Sequence, residues 1–291
     1  MKKRLSAGDI GFNIVNYCFL GLLSLIFIYP ILYSLFASLS DPVQLLSFTG
    51  LLVKPLGFST TGYKVVFQNP NITTGYVNTL IYTLLGTVIS MLLTILGAYA
   101  LSRKNYRLRR VATFFIVFTM YFSGGMIPHF LLVKGIGLYD TRMAMILPGA
   151  INTWNMIVMK TAFQSVPASL DESAKLDGAN DFVVLFKIFL PLIMPTFAVI
   201  TLFYAVQYWN AWFNALLYLQ DRAFFPLQLF LREILIANSA GGNATTDVDT
   251  FLLDEVLKYT TIIISTVPIL CVYPFVQKYF VSGMMLGSIK E

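Results

Sequence analysis

The chain has 291 residues, 57% hydrophobic and only 12% charged, with a net charge of +6 and a mean hydropathy of +0.74. Soluble domains carry about 25% charged residues, and one soluble core cannot bury such an apolar surplus, so the composition defines an integral membrane protein. Cys18 and Cys271 both fall in apolar stretches and exclude a disulfide framework or thiolate metal site. The basic residues are spread over short loops, which excludes a nucleic-acid partner.

A helix needs about 20 apolar residues to cross the hydrocarbon core. Six stretches meet this: 14–39, 77–101, 111–133, 143–163, 196–219 and 259–280. The expected fold is an all-α membrane protein with six transmembrane helices in one transmembrane domain, residues 1–291. Lys2, Lys3 and Arg4 resemble the start of a signal peptide, but the apolar stretch after them is too long and no A-x-A site follows, so a first span is expected. Pro30 marks a kink in that span. Ser123, Gly124, Gly125 and Pro128 interrupt the third.

The loops set the orientation. With six spans, the side holding the N-terminus, residues 102–110, the loop at 160–195 and the tail from Lys278 carries 13 Lys and Arg residues, against 7 on the other. The positive-inside rule places both termini in the cytoplasm. Two long loops then lie outside. Residues 40–76 read as an amphipathic segment along the membrane face. Residues 220–258 carry an apolar patch, a Gly241-Gly242-Asn243 tip and then the acidic Asp247, Asp249, Asp254 and Glu255. That loop is either plain connecting structure or a docking surface.

Polar residues inside spans face a cavity or another helix. Asn152 and Asn155 share a helical face with Pro148 and Met159 in the fourth span, as do Gln207, Asn210 and Asn214 in the fifth, flanked by Trp209 and Trp212. Amides donate and accept, and aromatic rings pack on sugar faces, so these residues are candidates to line a path for a hydroxyl-rich solute. Hydrogen bonding between helices is the competing reading. The spans hold no Asp or Glu, which counts against proton or sodium coupling. No Gly-x-x-x-x-Gly-Lys-Ser/Thr loop is present. ATP, if used, is bound elsewhere. A hydrolase built on His129, the one histidine, lacks spaced partners.

The loop at 165–195 holds Asp171, Glu172, Asp177 and Asp181. Locally it reads as helix, turn, helix. Pro167 suits a first helical position, and Ser169 with Glu172 fits a competing capping box. Gly178 can end the first helix in the left-handed conformation. Asn180 or Asp181 can cap a second helix, which Pro191 helps end. Small residues at Ser173, Ala174, Gly178 and Ala179 permit close approach by another protein.

Glu172-Ser173-Ala174, then Gly178, then Ile188-Phe189-Leu190-Pro191 resembles the "EAA" loop of ABC importer membrane subunits, with Ser173 in place of an alanine. Tyr208-Trp209-Asn210-Ala211-Trp212-Phe213-Asn214 and the ending from Gln277 to Glu291 resemble carbohydrate permeases of the MalG type. Phe122 to Pro128 is similar to the branch that includes alginate and pectin oligosaccharide permeases. The resemblance implies a type I ABC importer permease fold in a bacterial inner membrane. It implies a second related permease in a heterodimer, two ATPase subunits holding ATP and Mg, and an extracytoplasmic solute-binding protein. The chain itself would bind no cofactor or metal and would not be an enzyme. Glu172, Ser173, Ala174, Asp177, Gly178 and Ala179 would couple to the ATPase, and Gly283, Gly287 and Lys290 of the tail would reach it. The alternatives are an ABC permease for a non-sugar solute and an ion-coupled secondary carrier.

Overall fold

The structure is a computed structural model that describes residues 7–240, 256–272, 274 and 277. Among the described residues every regular element is helical. The chain divides into two units, residues 1–69 with 233–266, and residues 70–232 with 267–291.

The first unit begins with α1 (Ala7–Ser38), which runs unbroken through Pro30. It is apolar on all sides, and its spanning stretch is unburied within the chain, as expected of a helix solvated by lipid. Only its end packs inward, where Tyr33, Phe36 and Ala37 meet Leu45, Leu52 and Val256. The expected loop at 40–76 contains two short helices, α2 (Pro42–Leu46) and α3 (Thr61–Gln68). Asp41 caps α2, its Oδ1 accepting from the amides of Val43 and Gln44 at 3.1 and 3.2 Å. Ser38 and Tyr63 join α1 to α3 through their hydroxyls at 2.8 Å.

The second unit is built on α4 (Pro70–Ser102). Asn78, Tyr82, Gly86, Ser90, Thr94 and Ala98 recur every fourth residue and all are buried. They bind the unit together. Asn78 Nδ2 donates to the carbonyls of Ala223 and Phe225 at 2.7 and 3.1 Å, and the Tyr82 hydroxyl to that of Phe224 at 2.7 Å. Ser90 pairs with Tyr208 at 2.9 Å and Thr94 with Tyr204 at 2.7 Å. In lipid, apolar contact gives little drive for helices to associate, so close packing and such hydrogen bonds carry more of the task.

The remaining helices are α5 (Arg109–Tyr121), α6 (Met126–Gly135), α7 (Met143–Ile146), α8 (Thr153–Ser165), α9 (Ala168–Leu176), α10 (Asp181–Leu192), α11 (Met194–Trp209), α12 (Trp212–Tyr218), α13 (Leu227–Ala240) and α14 (Val256–Val272). Three expected spans are not straight helices. The stretch 111–133 is α5 and α6, bent by 117° at Ser123-Gly124-Gly125. Gly125 has φ +85° there, a conformation that costs glycine little. The stretch 143–163 breaks at Pro148, which has no N–H to give and sits in a 3₁₀ turn, Leu147–Gly149. The stretch 196–219 stops at Trp209 and resumes at Trp212. A further bend of 89° separates α10 from α11. Among the described residues two helices are long and apolar enough to cross a membrane alone, and up to four spans result if each bent pair counts as one.

Candidate functional site

The polar loop at 165–195 folds as a bracket, α9, a turn and α10. Pro167 precedes α9, so Ser169 lies within the first turn and the capping box does not form. The end of α9 is a Schellman motif. The Ala179 amide donates to the Ala174 carbonyl at 2.9 Å and the Gly178 amide to that of Lys175 at 3.1 Å. Gly178 has φ +80° and nothing within 4 Å of where a Cβ would lie. Backbone conformation, not space, therefore calls for glycine. Asn180 caps α10, its Oδ1 accepting from the Val183 amide at 2.9 Å. Within α10, Val184–Phe189 forms a π-helical turn just before Pro191.

One side of the bracket is a seat. Ala174, Val184, Leu185 and Phe189 are buried against Tyr99 of α4 and Phe163 of α8. The ring centroids of Tyr99 lie 5.7 Å from Phe163 and 5.8 Å from Phe189. Arg103, just past the end of α4, places its guanidinium 4.8 Å from the Tyr99 ring centre and 5.0 Å from that of Phe189. The same guanidinium forms an ion pair with Asp171 of α9. Lys175 Nζ bridges Asp171 and Asp181 at 3.4 and 3.5 Å. Charge, aromatic stacking and apolar burial thus tie the bracket to α4, and two of the loop's four carboxylates are spent inside it.

The other side is free. Glu172, Ser173, Asp177 and Gly178 are exposed. Leu176 is 88% exposed and Phe182 66%. Leu176, next to Asp177 in the chain, is an apolar side chain open to another protein, and Phe182 edges a recess shared with Leu96, Tyr99 and Arg103. The six residues expected to couple do not act alike: Ala174 is buried and Ala179 half-buried, both in the seat. Leu176 and Phe182 were missed. Their signal was available, as apolar residues on the polar side of a short helix pair.

The expected pathway residues are dispersed. Asn152 is spent as the cap of α8, accepting from the Asn155 amide at 3.1 Å. It does not share a helical face with Asn155, because the helix begins only at Thr153. Asn155 is buried. Gln207 and Asn210 are exposed, and the Asn210 side chain donates to the Val206 carbonyl at 3.0 Å. Trp209 turns inward and meets Tyr76 edge-on with centroids 6.4 Å apart. The helix break after Trp209 separates Asn214 from Gln207.

Asn214 instead joins Ser123, Gly125, Pro128 and His129 around a cavity of about 500 Å³ at the bend between α5 and α6. His129 Nδ1 and the Tyr218 hydroxyl are 2.6 Å apart in its wall. Beside it Asp140, at φ +56°, receives the Gln220 and Asp221 amides on Oδ1 at 2.8 and 2.9 Å. Those two amides hold its carboxyl below the usual carboxylate range. Gly283, Gly287 and Lys290, and the loop tip at Gly241-Gly242-Asn243, lie outside the described residues.

A polytopic helical subunit with broken spans, polar-laced core helices and a rigid bracket turned outward defines a class: a transport subunit that presents a face to another chain. Residues 90–284 match the family described as the binding-protein-dependent transport system inner membrane component, and the chain belongs to it. It is an inner-membrane permease subunit of an ABC importer and not an enzyme; the ATPase is a separate subunit. The chain is 42% identical over 292 residues to the polygalacturonan/rhamnogalacturonan transport system permease protein YtcP of Bacillus subtilis (strain 168), covering 100% of both chains. It is 39% identical to protein LplC of the same organism, covering 96% of this chain and 95% of that protein. Its fold matches, with a TM-score of 0.86 and 37% identity, a chain of a bacterial ABC transporter involved in the import of the acidic polysaccharide alginate, covering 96% of this chain and 100% of that one.

Proposed function

We propose that this chain forms half of the translocation pathway of an ATP-driven importer for oligosaccharides, with fragments of acidic polysaccharides as the favoured class. The bracket is the observation that carries the transport mechanism. Its inner side is locked to α4 through Arg103 and Asp171, so a push on its outer side is passed to the core helices rather than absorbed in a loop. Glu172, Ser173, Leu176, Asp177 and Phe182 receive the ATPase, Gly178 sets the angle between the helices, and Ala174 and Ala179 seat the bracket. ATP and Mg reside on that partner. The substrate class is supported by the relatives' transport of polygalacturonan or rhamnogalacturonan and of alginate.

The proposed topology has six spans with both termini in the cytoplasm, at 14–39, 77–101, 111–133, 143–163, 196–219 and 259–280, the third, fourth and fifth bent or broken. A second, related permease completes the path. A solute-binding protein delivers sugar to the outer face, and the tail with Gly283, Gly287 and Lys290 reaches the ATPase. Exposed Gln207 and Asn210, and Asn214 in its cavity, are the amides placed to meet solute. Mass spectrometry of the ligand co-purified with the cognate binding protein tests the substrate class. An uronic-acid oligosaccharide is expected, and a peptide or amino acid would overturn the sugar reading. In reconstituted transporter, Glu172→Ala should leave ATP hydrolysis running while uptake falls, and normal uptake by Gly178→Pro would sink the coupling role.

A further inference from the structure

Beside the bracket, the start of α5 and the end of α8 enclose a second recess that coupling does not use. It measures about 410 Å³ and is lined by Arg109, Arg110, Thr113, Phe114, Val117 and Lys160, with Gln164 at its edge. Three cations therefore face one space whose lining includes no carboxylate. Contrast Lys175, which is shared between Asp171 and Asp181. Among the described residues no ion pair involves Arg109, Arg110 or Lys160. Lys160 Nζ donates to Thr113 Oγ1 at 3.1 Å, which holds it in the recess with two N–H groups left over. Like charges gathered without a counter-charge repel, and an anion between them removes that cost.

The recess also changes character along α5. Arg109 and Arg110 occupy the first turn of the 13-residue α5, whose positive end favours an anion, and Lys160 faces them from α8. One and two turns on, Phe114 and Val117 form its apolar wall, and Phe114 is 65% exposed. A soluble phosphate would satisfy the cations but leave that wall wet. A molecule with a phosphate at one end and hydrocarbon at the other satisfies both.

We propose that Arg109, Arg110 and Lys160 bind the phosphate of an anionic phospholipid whose chains lie along Phe114 and Val117. This rests on the reading of α5 as the cytoplasmic start of a span, since only there does the headgroup meet the cations. The site then anchors the ground next to the moving bracket, because Arg109 also lines the cavity of about 620 Å³ bounded by Arg103, Asp171 and Glu172.

The test uses the complete transporter, purified and placed in bilayers of phosphatidylcholine with or without phosphatidylglycerol. Retained lipid is measured by native mass spectrometry. Wild type should retain phosphatidylglycerol, and Arg110→Gln should weaken retention about fivefold, as expected for one basic residue at an anionic surface. Arg109→Gln with Arg110→Gln should weaken it about 30-fold on the same basis, while Arg110→Lys should retain it. Arg107→Gln removes the same charge from the preceding loop but outside the recess, and should change little. Equal loss from Arg107→Gln would overturn the proposal in favour of general surface attraction. Release of the lipid by millimolar inorganic phosphate would overturn it in favour of a soluble-anion site. No retention in the complete transporter, with retention by the permease pair alone, would overturn it in favour of a protein partner over the recess. If uptake and ATP hydrolysis show that the coupling role fails, retention by this site can still succeed, so the two readings fail separately.

Discussion

Gly178 shows how one residue can set the geometry of a helix–turn–helix bracket. Its φ of +80° with open space around it separates conformational strain from steric clash. A left-handed residue with a Cβ costs about 1–2 kcal/mol, and Asn pays less. Stability of the purified complex should fall in the order Gly178→Asn, Gly178→Ala, Gly178→Val, and uptake per ATP should fall in the same order. Thermal unfolding and reconstituted uptake check this; a Val variant as active as wild type would contradict it. Asp140 is a second special position. Its depressed carboxyl accepts two amides, so its stabilising effect is complete above the ordinary aspartate range near pH 3.8 and fades only as pH falls through its lower folded value. Hydrogen exchange at the Gln220 and Asp221 amides should stay slow from neutral pH down to about 4. In Asp140→Ala it should already be faster at neutral pH.

At the scale of elements, the bracket and α4 work as a pair. Arg103 and Asp171 are both largely buried, so Asp171→Ala strands Arg103 and should cost about 3 kcal/mol, whereas Arg103→Ala leaves Asp171 its Lys175 partner and should cost less. Arg103→Ala and Asp171→Ala should therefore be much less than additive in a double-mutant cycle on unfolding. Additive effects would mean that the ion pair does not tie the two helices. The bracket was legible in the sequence down to Gly178 and Asn180, because turn chemistry is local and needs particular residues. Of the bends, the one at Ser123-Gly124-Gly125 was legible as an interruption, because glycine pairs and a nearby proline are local breakers. The others were not, since hydropathy averages over a stretch and cannot see that Pro148 or Asn210 breaks the backbone inside it. Asn152 looked like part of a face and proved to be a cap, for the same reason. The ladder from Asn78 to Ala98 was readable as a four-residue period of small and polar residues, but an apolar span hides such a period among leucines.

For the whole molecule, the main consequence is that energy enters from another chain. Described spans are joined by neutral hydroxyls and amides, which suits bundles that rock without carrying protons. The bracket exposes Leu176 and Phe182, and Ala174, Val184, Leu185 and Phe189 seat it against Tyr99 of α4. Leu176→Asp should leave membrane insertion intact yet reduce co-purification of the ATPase at least tenfold, because a central apolar anchor carries about 2 kcal/mol or more of an interface. The most direct test replaces Leu176 with a photo-crosslinking benzoylphenylalanine in the complete transporter, with Phe58, exposed on a loop expected outside, as the control. The account predicts a cross-link from position 176 to the ATP-hydrolysing subunit and none from position 58. No cross-link from 176, or an equal one from 58, would contradict the claim that this bracket is where the transporter is driven.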